Sequence, residues 1–225
     1  MKFKSLIKGK LIKRYMRFLA DVELENGEKV TAHCTNTGSM KSVNVPGAEV
    51  LLSPVNDPKR KTKFTWEMIK INDQWAGVNT SNANKLAFEW VSNNEIPGLK
   101  NLQNLRTEKK FGDSRFDIYG HDGAKQVWME VKNVSLKEGD FALFPDAVTT
   151  RGQKHLKTLM QVIDEGHRAA MIYVIQRSDI NQFAAAKEID SDYTRLLEEA
   201  QQKGVEVYAC QAMLSETKIE LWKVL

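Results

Sequence analysis

The stretch that decides the fold is residues 111–134, FGDSRFDIYGHDGAKQVWMEVKNV. It contains two strand-like runs, residues 114–119 and 126–134, on either side of a glycine-containing turn. Side chains alternate across a strand, so the second run presents apolar residues on one face and Glu130 and Lys132 on the other. The pattern therefore predicts a β-hairpin with one face against a core and the other face carrying charge.

The first run of this hairpin supplies a second carboxylate. Phe116 and Ile118 are predicted to share a face, and Asp117 to point away from them. If both apolar faces meet the same core, Asp117 converges with Glu130 and Lys132 on the opposite surface. Two carboxylates and an ammonium group can hold a divalent metal and orient water against a phosphodiester. Mg²⁺ favours such a site, because it takes few protein carboxylates and keeps water and substrate oxygens as its other ligands.

The spacing D-x12-E-x-K also fits a plainer interpretation. In that interpretation the hairpin lies at the surface and its charges only contact solvent. Two observations favour the metal site: each carboxylate interrupts an otherwise apolar strand, and the elements that follow are those of an α/β domain. From residue 81 the predicted order is helix, three strands, helix, strand, helix, strand and one further strand. A long connection over residues 136–151 separates the third strand from the second helix. The core order αβββαβ and the Asp…Glu-x-Lys set resemble the PD-(D/E)xK nuclease superfamily.

A helix is predicted over residues 81–92, with Ser81 or Asn82 as its N-cap. Glu89 lies at the margin of its apolar stripe. That carboxylate is expected either to lean toward the central strands or to pair with Lys85 in solvent, and the sequence leaves both open.

Residues 1–80 are predicted to form a separate domain. Short β segments alternate with turn signals such as Asn26-Gly27 and Pro46-Gly47, a pattern typical of a small barrel or sandwich. An OB-like barrel fits the size. The sequence thus predicts an α/β protein, α+β overall, with an OB-like barrel over residues 1–80 and a nuclease-like domain over residues 81–225.

The basic residues are unevenly distributed, although the net charge is only +4. One cluster precedes the first acidic residue and includes Arg14 and Arg17, and a second contains Lys59, Arg60 and Lys61. Such clusters suit a polyanion, because neutralised phosphates release counterions. The other interpretation is a solvated basic face.

A third basic group is expected at the start of the second helix. Thr149 or Thr150 is predicted to cap it, which leaves N–H groups free for an anion. Arg151, Lys154 and His155 follow, so a phosphate-binding helix start is predicted. An ordinary capped helix with exposed lysines is the alternative.

Composition limits the class of protein. The chain has 225 residues, 42% hydrophobic and 28% charged, as expected for a soluble globular protein. The longest apolar run, residues 169–175, is too short to span a bilayer, and the basic N-terminal segment has no apolar stretch like that of a secretory signal. The two distant cysteines, Cys34 and Cys210, are expected to be free thiols in a reducing cytoplasm, with one disulfide as the less favoured case.

Several segments together resemble the sugar fermentation stimulation protein family (SfsA) over essentially the whole chain. They are RYMRFLADV (14–22), HCTNTGSM (33–40), PKRKTKFTWE (58–67), GVNTSNAN (77–84), FGDSRFDIY (111–119), MEVKNVSL (129–136), FPDAVTTRGQKHL (144–156) and QRSD (176–179). Thr35 stands where the family resembled usually has proline, and this change is expected to affect only the rigidity of that loop.

The resemblance implies a cytoplasmic bacterial or archaeal protein that binds DNA without sequence preference and is linked to regulation of sugar utilisation, notably of maltose. No catalytic activity is firmly attached to the family. The superfamily pattern implies Glu89 as the acid of the first helix, beside Asp117, Glu130 and Lys132.

Two functions follow as expectations. The first is a DNA-binding protein with a metal-dependent nuclease site, in which Asp117 and Glu130 bind Mg²⁺ or Mn²⁺ and Lys132 positions water. The second is a non-catalytic DNA-binding regulator on a nuclease-like scaffold. A sugar-binding protein finds no support in the residues. The sequence leaves open whether the nucleic acid is DNA or RNA, single- or double-stranded, and whether the protein forms a homo-oligomer.

Overall fold

A computed structural model describes all residues, 1–225. The N-terminal part is built on one six-stranded sheet. Its strands are β1 (Ile7–Tyr15), β2 (Leu19–Leu24), β3 (Lys29–His33), β4 (Glu49–Pro54), β5 (Phe64–Ile71) and β6 (Gln74–Gly77). They lie in the order β3-β2-β1-β4-β5-β6, and β3 also pairs in parallel with β5. That extra pairing closes the first five strands into a barrel, so the predicted OB-like barrel is confirmed.

The C-terminal part is built on a second six-stranded sheet with helices on both faces. Its elements are α1 (Ser81–Ser92), β7 (Gln103–Phe111), β8 (Ser114–Asp122), β9 (Lys125–Val134), β10 (Leu136–Glu138), β11 (Phe141–Phe144), α2 (Thr150–Asp164), β12 (Arg168–Ile175), β13 (Gln182–Ala185), α3 (Ser191–Lys203), β14 (Glu206–Leu214) and β15 (Ile219–Val224). The main sheet has the order β15-β14-β12-β9-β8-β7, with β9, β12 and β14 parallel. The predicted αβββαβ core is confirmed.

Side chains alternate along β9 as predicted, but the face expected to be a charged surface is also buried, in a core of its own. Met129 and Val131 belong to the core beneath α1, whereas Trp128 and Val134 belong to the core beneath α2 and α3. Glu130 lies on the α2 side with Trp128. This face of β9 therefore carries the carboxylate predicted for the site.

The prediction for β8 is wrong at one point. Phe116 packs in the core beneath α2, while Ile118 packs in the core beneath α1. The regular pairing of β8 with β9 begins only at Ile118, opposite Met129. Just before it, the carboxylate of Asp117 accepts the backbone N–H of Val131 at 2.8 Å. The two strands diverge at Asp117, so its neighbours do not share a face.

Two local predictions also need correction. The connection over residues 136–151 is not a loop throughout, because β10 and β11 lie in it and form a small sheet with β13. The N-cap of α1 is Thr80 rather than Ser81 or Asn82, and the first free N–H of that helix, on Ser81, donates to Oδ1 of Asn79 at 3.0 Å.

The two parts share a core. Met68 and Trp75 from the barrel pack in the same cluster as Leu86 and Trp90 of α1. Strand β6 ends against the C-terminal part, where the N–H of Gly77 donates to the carbonyl of Gln176 at 2.7 Å. A Cβ at this glycine would lie 2.7 Å from that of Gln176, so only glycine permits the approach. The predicted boundary near residue 80 falls between β6 and α1. None of the helices has the length and apolarity that crossing a bilayer requires.

Candidate metal centre and nucleic-acid surface

Asp117, Glu130 and Lys132 lie together where β8 diverges from β9. Lys132 Nζ lies 2.5 Å from Oε1 of Glu130. Asp117 is held by its two oxygens: Oδ2 accepts the N–H of Val131, and Oδ1 accepts the side-chain amide of Asn84 at 2.6 Å. The structure thus brings together three of the four residues predicted for the catalytic cluster.

His155 also belongs to this cluster, which the sequence did not predict. Its side chain is buried, and Nδ1 contacts Oε1 of Glu130 and lies 3.3 Å from Lys132 Nζ. The prediction that His155 contacts phosphate is therefore wrong for this structure. It lies one turn into α2, on the helix face that packs against β9, and there it contacts a carboxylate.

The electrostatics of the two carboxylates differ. Burial, and then the negative charge of Glu130, raise the pKa of Asp117 to about 6. Burial also raises the pKa of Glu130, but the hydrogen bond with His155 and the adjacent Lys132 ammonium outweigh it and lower that pKa overall. Glu130 is consequently the ionised carboxylate of the pair. The repulsion between the two carboxylates contributes to the raised pKa of Asp117.

The donor set fits a divalent cation bound partly by water and substrate. Oε2 of Glu130 is buried and has no hydrogen-bond partner. A buried carboxylate oxygen without a partner is costly, and a cation beside it would offset both that cost and the repulsion from Asp117. No group of three or more His, Cys, Asp or Glu side chains is arranged to hold an ion alone. Mg²⁺ and Mn²⁺ accept such a set, with oxygens of water and phosphate as the remaining ligands.

Glu89 does not join the cluster. Its carboxylate accepts a 2.7 Å hydrogen bond from the amino group of Met1, and it is not paired with Lys85. On α1 the residue that reaches the cluster is Asn84. The positions differ by five residues, more than one helical turn, so the two side chains leave the helix at different heights and directions.

The first predicted basic cluster has a structural role in the barrel. Arg14 donates to the carbonyls of Arg17, Asn36 and Gly38, at 2.8 to 3.2 Å. Arg17 donates twice to the carbonyl of Thr37, at 2.9 and 2.7 Å. Neither guanidinium is within salt-bridge distance of a carboxylate in the structure. Their positive charges therefore remain uncompensated while their hydrogen bonds fix the loop after β3.

The second predicted cluster borders a cavity on the barrel. Lys59 and Lys61 are exposed, Arg60 is half-buried, and none of the three forms a salt bridge. Arg60 and Lys61 line a cavity of about 770 Å³ that also includes Phe18 and Ser81. This cluster keeps its charge available to a polyanion.

The start of α2 is not a free anion site. Thr149 caps the helix, as predicted, and its hydroxyl accepts the N–H of Gly152. The carboxylate of Asp190 accepts the N–H of Thr149 at 2.8 Å, which places negative charge at this end of the helix. Arg151 and Lys154 are exposed on the first turn, and Lys154 faces a separate groove beside Phe111.

These elements define a class of protein: an OB-like barrel joined to a nuclease-like αβββαβ domain, with two carboxylates and a lysine on its central strands. The sequence model described as "Sugar fermentation stimulation protein RE domain" matches residues 81–218, and that described as "SfsA N-terminal OB domain" matches residues 12–78. The chain belongs to the sugar fermentation stimulation protein family.

Relatives resemble the chain over nearly its full length. The sugar fermentation stimulation protein homolog of Geotalea uraniireducens is 46% identical over 217 residues, covering 96% of this chain and 94% of the relative. That of Rhodospirillum rubrum is 48% identical, covering 90% and 88%. The solved structure of Pyrococcus furiosus SfsA in complex with Ca²⁺ superimposes with a TM-score of 0.90 at 26% identity, covering 100% of this chain and 96% of the other.

Proposed function

We propose that this protein binds DNA without sequence preference and hydrolyses its phosphodiester bonds with Mg²⁺ or Mn²⁺ held at Asp117 and Glu130. The observation that carries the proposal is the unpartnered, buried Oε2 of Glu130 beside Asp117, whose pKa is raised by burial and then by that neighbour. The Pyrococcus furiosus relative is described as a complex with Ca²⁺, another oxygen-seeking divalent cation, which supports metal binding in this family.

Each residue of the cluster has a role in this proposal. Asp117 presents a carboxylate oriented by Val131 and Asn84. His155 holds Oε1 of Glu130, which leaves Oε2 for the cation. Lys132 orients the attacking water and offsets negative charge that develops on the phosphate. The cation, when bound, supplies Lewis-acid stabilisation of phosphate oxygens.

A second candidate is the non-catalytic DNA-binding regulator. Two observations favour it: Lys132 and His155 already satisfy Oε1 of Glu130, and fewer than three ligating side chains converge here. In that case the cluster would stabilise the fold, and the relatives' link to sugar fermentation would arise from DNA binding alone.

Cleavage assays separate the two candidates. The wild type is compared with Glu130→Gln and Lys132→Met on labelled single- and double-stranded DNA and RNA, with Mg²⁺, Mn²⁺ or EDTA. Matched controls are Glu138→Gln and Lys125→Met, which change exposed residues away from the cluster. We expect cation-dependent cutting that disappears in both cluster variants and persists in both controls. Binding without cutting under every condition would contradict the catalytic proposal and favour the regulator.

The proposal extends to the setting of the protein. A cytoplasmic location agrees with two unpaired cysteines. We extend the proposal to a role in sugar utilisation, notably of maltose; the relatives' names, which say sugar fermentation stimulation, support the sugar part. Growth of a deletion strain on maltose, complemented by the wild type or by Lys132→Met, would show whether that role needs the cluster. Light scattering would measure the oligomeric state.

A further inference from the structure

An apolar tip projects from the barrel at the turn between β1 and β2. Met16 is 66% exposed and Phe18 is 42% exposed. Both line the 770 Å³ cavity together with His33, Arg60 and Lys61. Large apolar side chains held in solvent beside positive charge mark an interaction surface.

Dedicated contacts hold this tip in place. Met16 and Arg17 have φ values of 49° and 66°, a left-handed conformation that bulky residues rarely adopt. Arg14 donates twice to the carbonyl of Arg17, and Arg17 donates twice to that of Thr37. The turn is therefore tied to the loop after β3. Left-handed residues are common in tight hairpin turns, and here the hydrogen bonds fix the positions in which Met16 and Phe18 are presented.

The lining of the cavity is chemically complementary to a nucleic-acid strand. None of its lining residues is acidic, whereas Arg60 and Lys61 carry charges without carboxylate partners. Methionine and phenylalanine contact the faces of bases, which are available in a single strand and hidden by stacking in a duplex. Positive charge with exposed apolar side chains thus favours an unpaired strand over a double helix.

The cavity leads toward the metal centre. Ser81 lines its edge, and Asn84, three residues further along α1, contacts Asp117. Three residues span about 4.5 Å along a helix axis. Ser81 and Asn84 share a face of α1, so that face runs from the cavity to the residue that contacts Asp117.

We infer that the substrate is an unpaired strand, whose bases stack on Met16 and Phe18 while its backbone passes Arg60, Lys61 and Ser81 to reach Asp117. The inference rests on the proposed function and specifies its substrate. Duplex DNA would be a substrate only where its strands are separated, at a frayed end or a junction. Met16 and Phe18 contact base faces, and these are hidden in a stacked duplex.

Binding measurements test the tip apart from catalysis. Full-length protein with Glu130→Gln, which prevents cutting, is titrated in EDTA with labelled single-stranded, forked and blunt duplex DNA. We expect single-stranded and forked DNA to bind at least about ten-fold more tightly than blunt duplex. Phe18→Ala and Met16→Ala should each remove about ten-fold of that preference, whereas Phe18→Trp should retain it, because a larger ring still stacks. Val45→Ala and Trp222→Ala, two other exposed apolar residues, are the controls.

The outcomes separate this inference from the proposed function. Equal affinity for blunt duplex and single strand would overturn the inference, and so would unchanged affinity in the Phe18→Ala and Met16→Ala variants. Either result would leave the proposed function intact if the wild type still cuts duplex DNA with a cation. Preference for single strands that depends on Phe18, without cutting by the wild type, would support strand entry and contradict only the catalytic proposal. No binding to any nucleic acid would overturn both. Quenching of a fluorescent base analogue by the wild type but not by Phe18→Ala would locate the stacked base.

Discussion

The side-chain amide of Asn84 on α1 lies 2.6 Å from Oδ1 of Asp117 on β8. This hydrogen bond is the direct link between the first helix and the carboxylate cluster, because Glu89 contacts the amino group of Met1 instead. A donated hydrogen bond favours the ionised carboxylate, so Asn84 opposes the effects of burial and of Glu130 on Asp117.

Replacing Asn84 should weaken cation binding. In Asn84→Ala the pKa of Asp117 should rise further, because a hydrogen bond to its ionised form is lost. We expect the affinity for Mn²⁺ near neutral pH to fall several-fold, with little loss of thermal stability, since the amide is exposed. Calorimetric titration measures the affinity. Lys85→Ala, the next exposed residue on the helix, is the control, and equal affinities in the two variants would contradict the prediction.

The stability of the metal-free protein should depend on the protonation of Asp117. Its pKa rises from 3.8 to about 6 on folding. The folded state therefore holds a proton between these values that the unfolded state has released, and the resulting stability is fully present below 3.8 and lost as the pH rises through 6. Asp117→Asn should abolish this dependence, with Asn84 able to turn its amide and accept from the new side chain.

Urea unfolding in EDTA measures this effect. The difference in unfolding free energy between Asp117→Asn and the wild type should favour the variant by roughly 1–3 kcal/mol near pH 7 and shrink near pH 5. Comparing differences cancels other titrating groups. A difference that is the same at both pH values would show that folding does not raise the pKa of Asp117. Added Mn²⁺ should stabilise the wild type and leave the variant nearly unchanged.

Arg177 should be essential to the junction of the barrel and the C-terminal part. It is 1% exposed, and Nε and Nη2 donate to the two oxygens of Asp179 at 2.7 and 2.9 Å. Nη1 donates to the carbonyl of Ser135 and to the hydroxyl of Ser42 in the barrel. Arg177→Met removes the donor to Oδ1 of Asp179, whereas Oδ2 keeps Lys137 and the Ser135 carbonyl keeps Ser42. Because a buried ion pair is broken, we expect a loss of about 3–5 kcal/mol in unfolding free energy.

Thermal and urea unfolding check this prediction, with Arg195→Met as the control. Arg195 forms ion pairs as well, with Asp192 and Glu199, but on the exposed face of α3. Exposed pairs contribute little to stability, so that variant should unfold like the wild type. Similar unfolding of both variants would mean that the Arg177 network does not hold the two parts together.

The sequence predicted those features that depend on local pattern. Alternation located Glu130 and Lys132 on one face of β9, and turn signals with short strands indicated the barrel. The same alternation failed at Phe116, because β8 diverges from β9 there and the carboxylate of Asp117 takes a backbone N–H. A periodic pattern assumes regular pairing, so it fails where a site interrupts that pairing.

The rest of the cluster depends on tertiary contacts. His155 stood in a basic run, which favoured phosphate binding, yet packing of α2 on β9 turned it toward Glu130. Its position four residues before the apolar Leu159 was the available signal that it faces inward, because such residues share a helix face. Asn84 carried no signal by type, because an amide on an exposed helical turn is common. Only the docking of α1 on the sheet showed its contact with Asp117.

Both cysteines should be unreactive until the protein unfolds. Burial raises the pKa of the Cys34 thiol and raises that of Cys210 to about 12, so neither forms thiolate near pH 8. Cys34 lies in the core of the barrel and Cys210 in the core beneath α1, so no disulfide joins them. A coloured disulfide reagent should label neither in the folded protein and both of the two thiols in guanidinium chloride. Rapid labelling of Cys34 alone would mean that the barrel opens independently of the shared core.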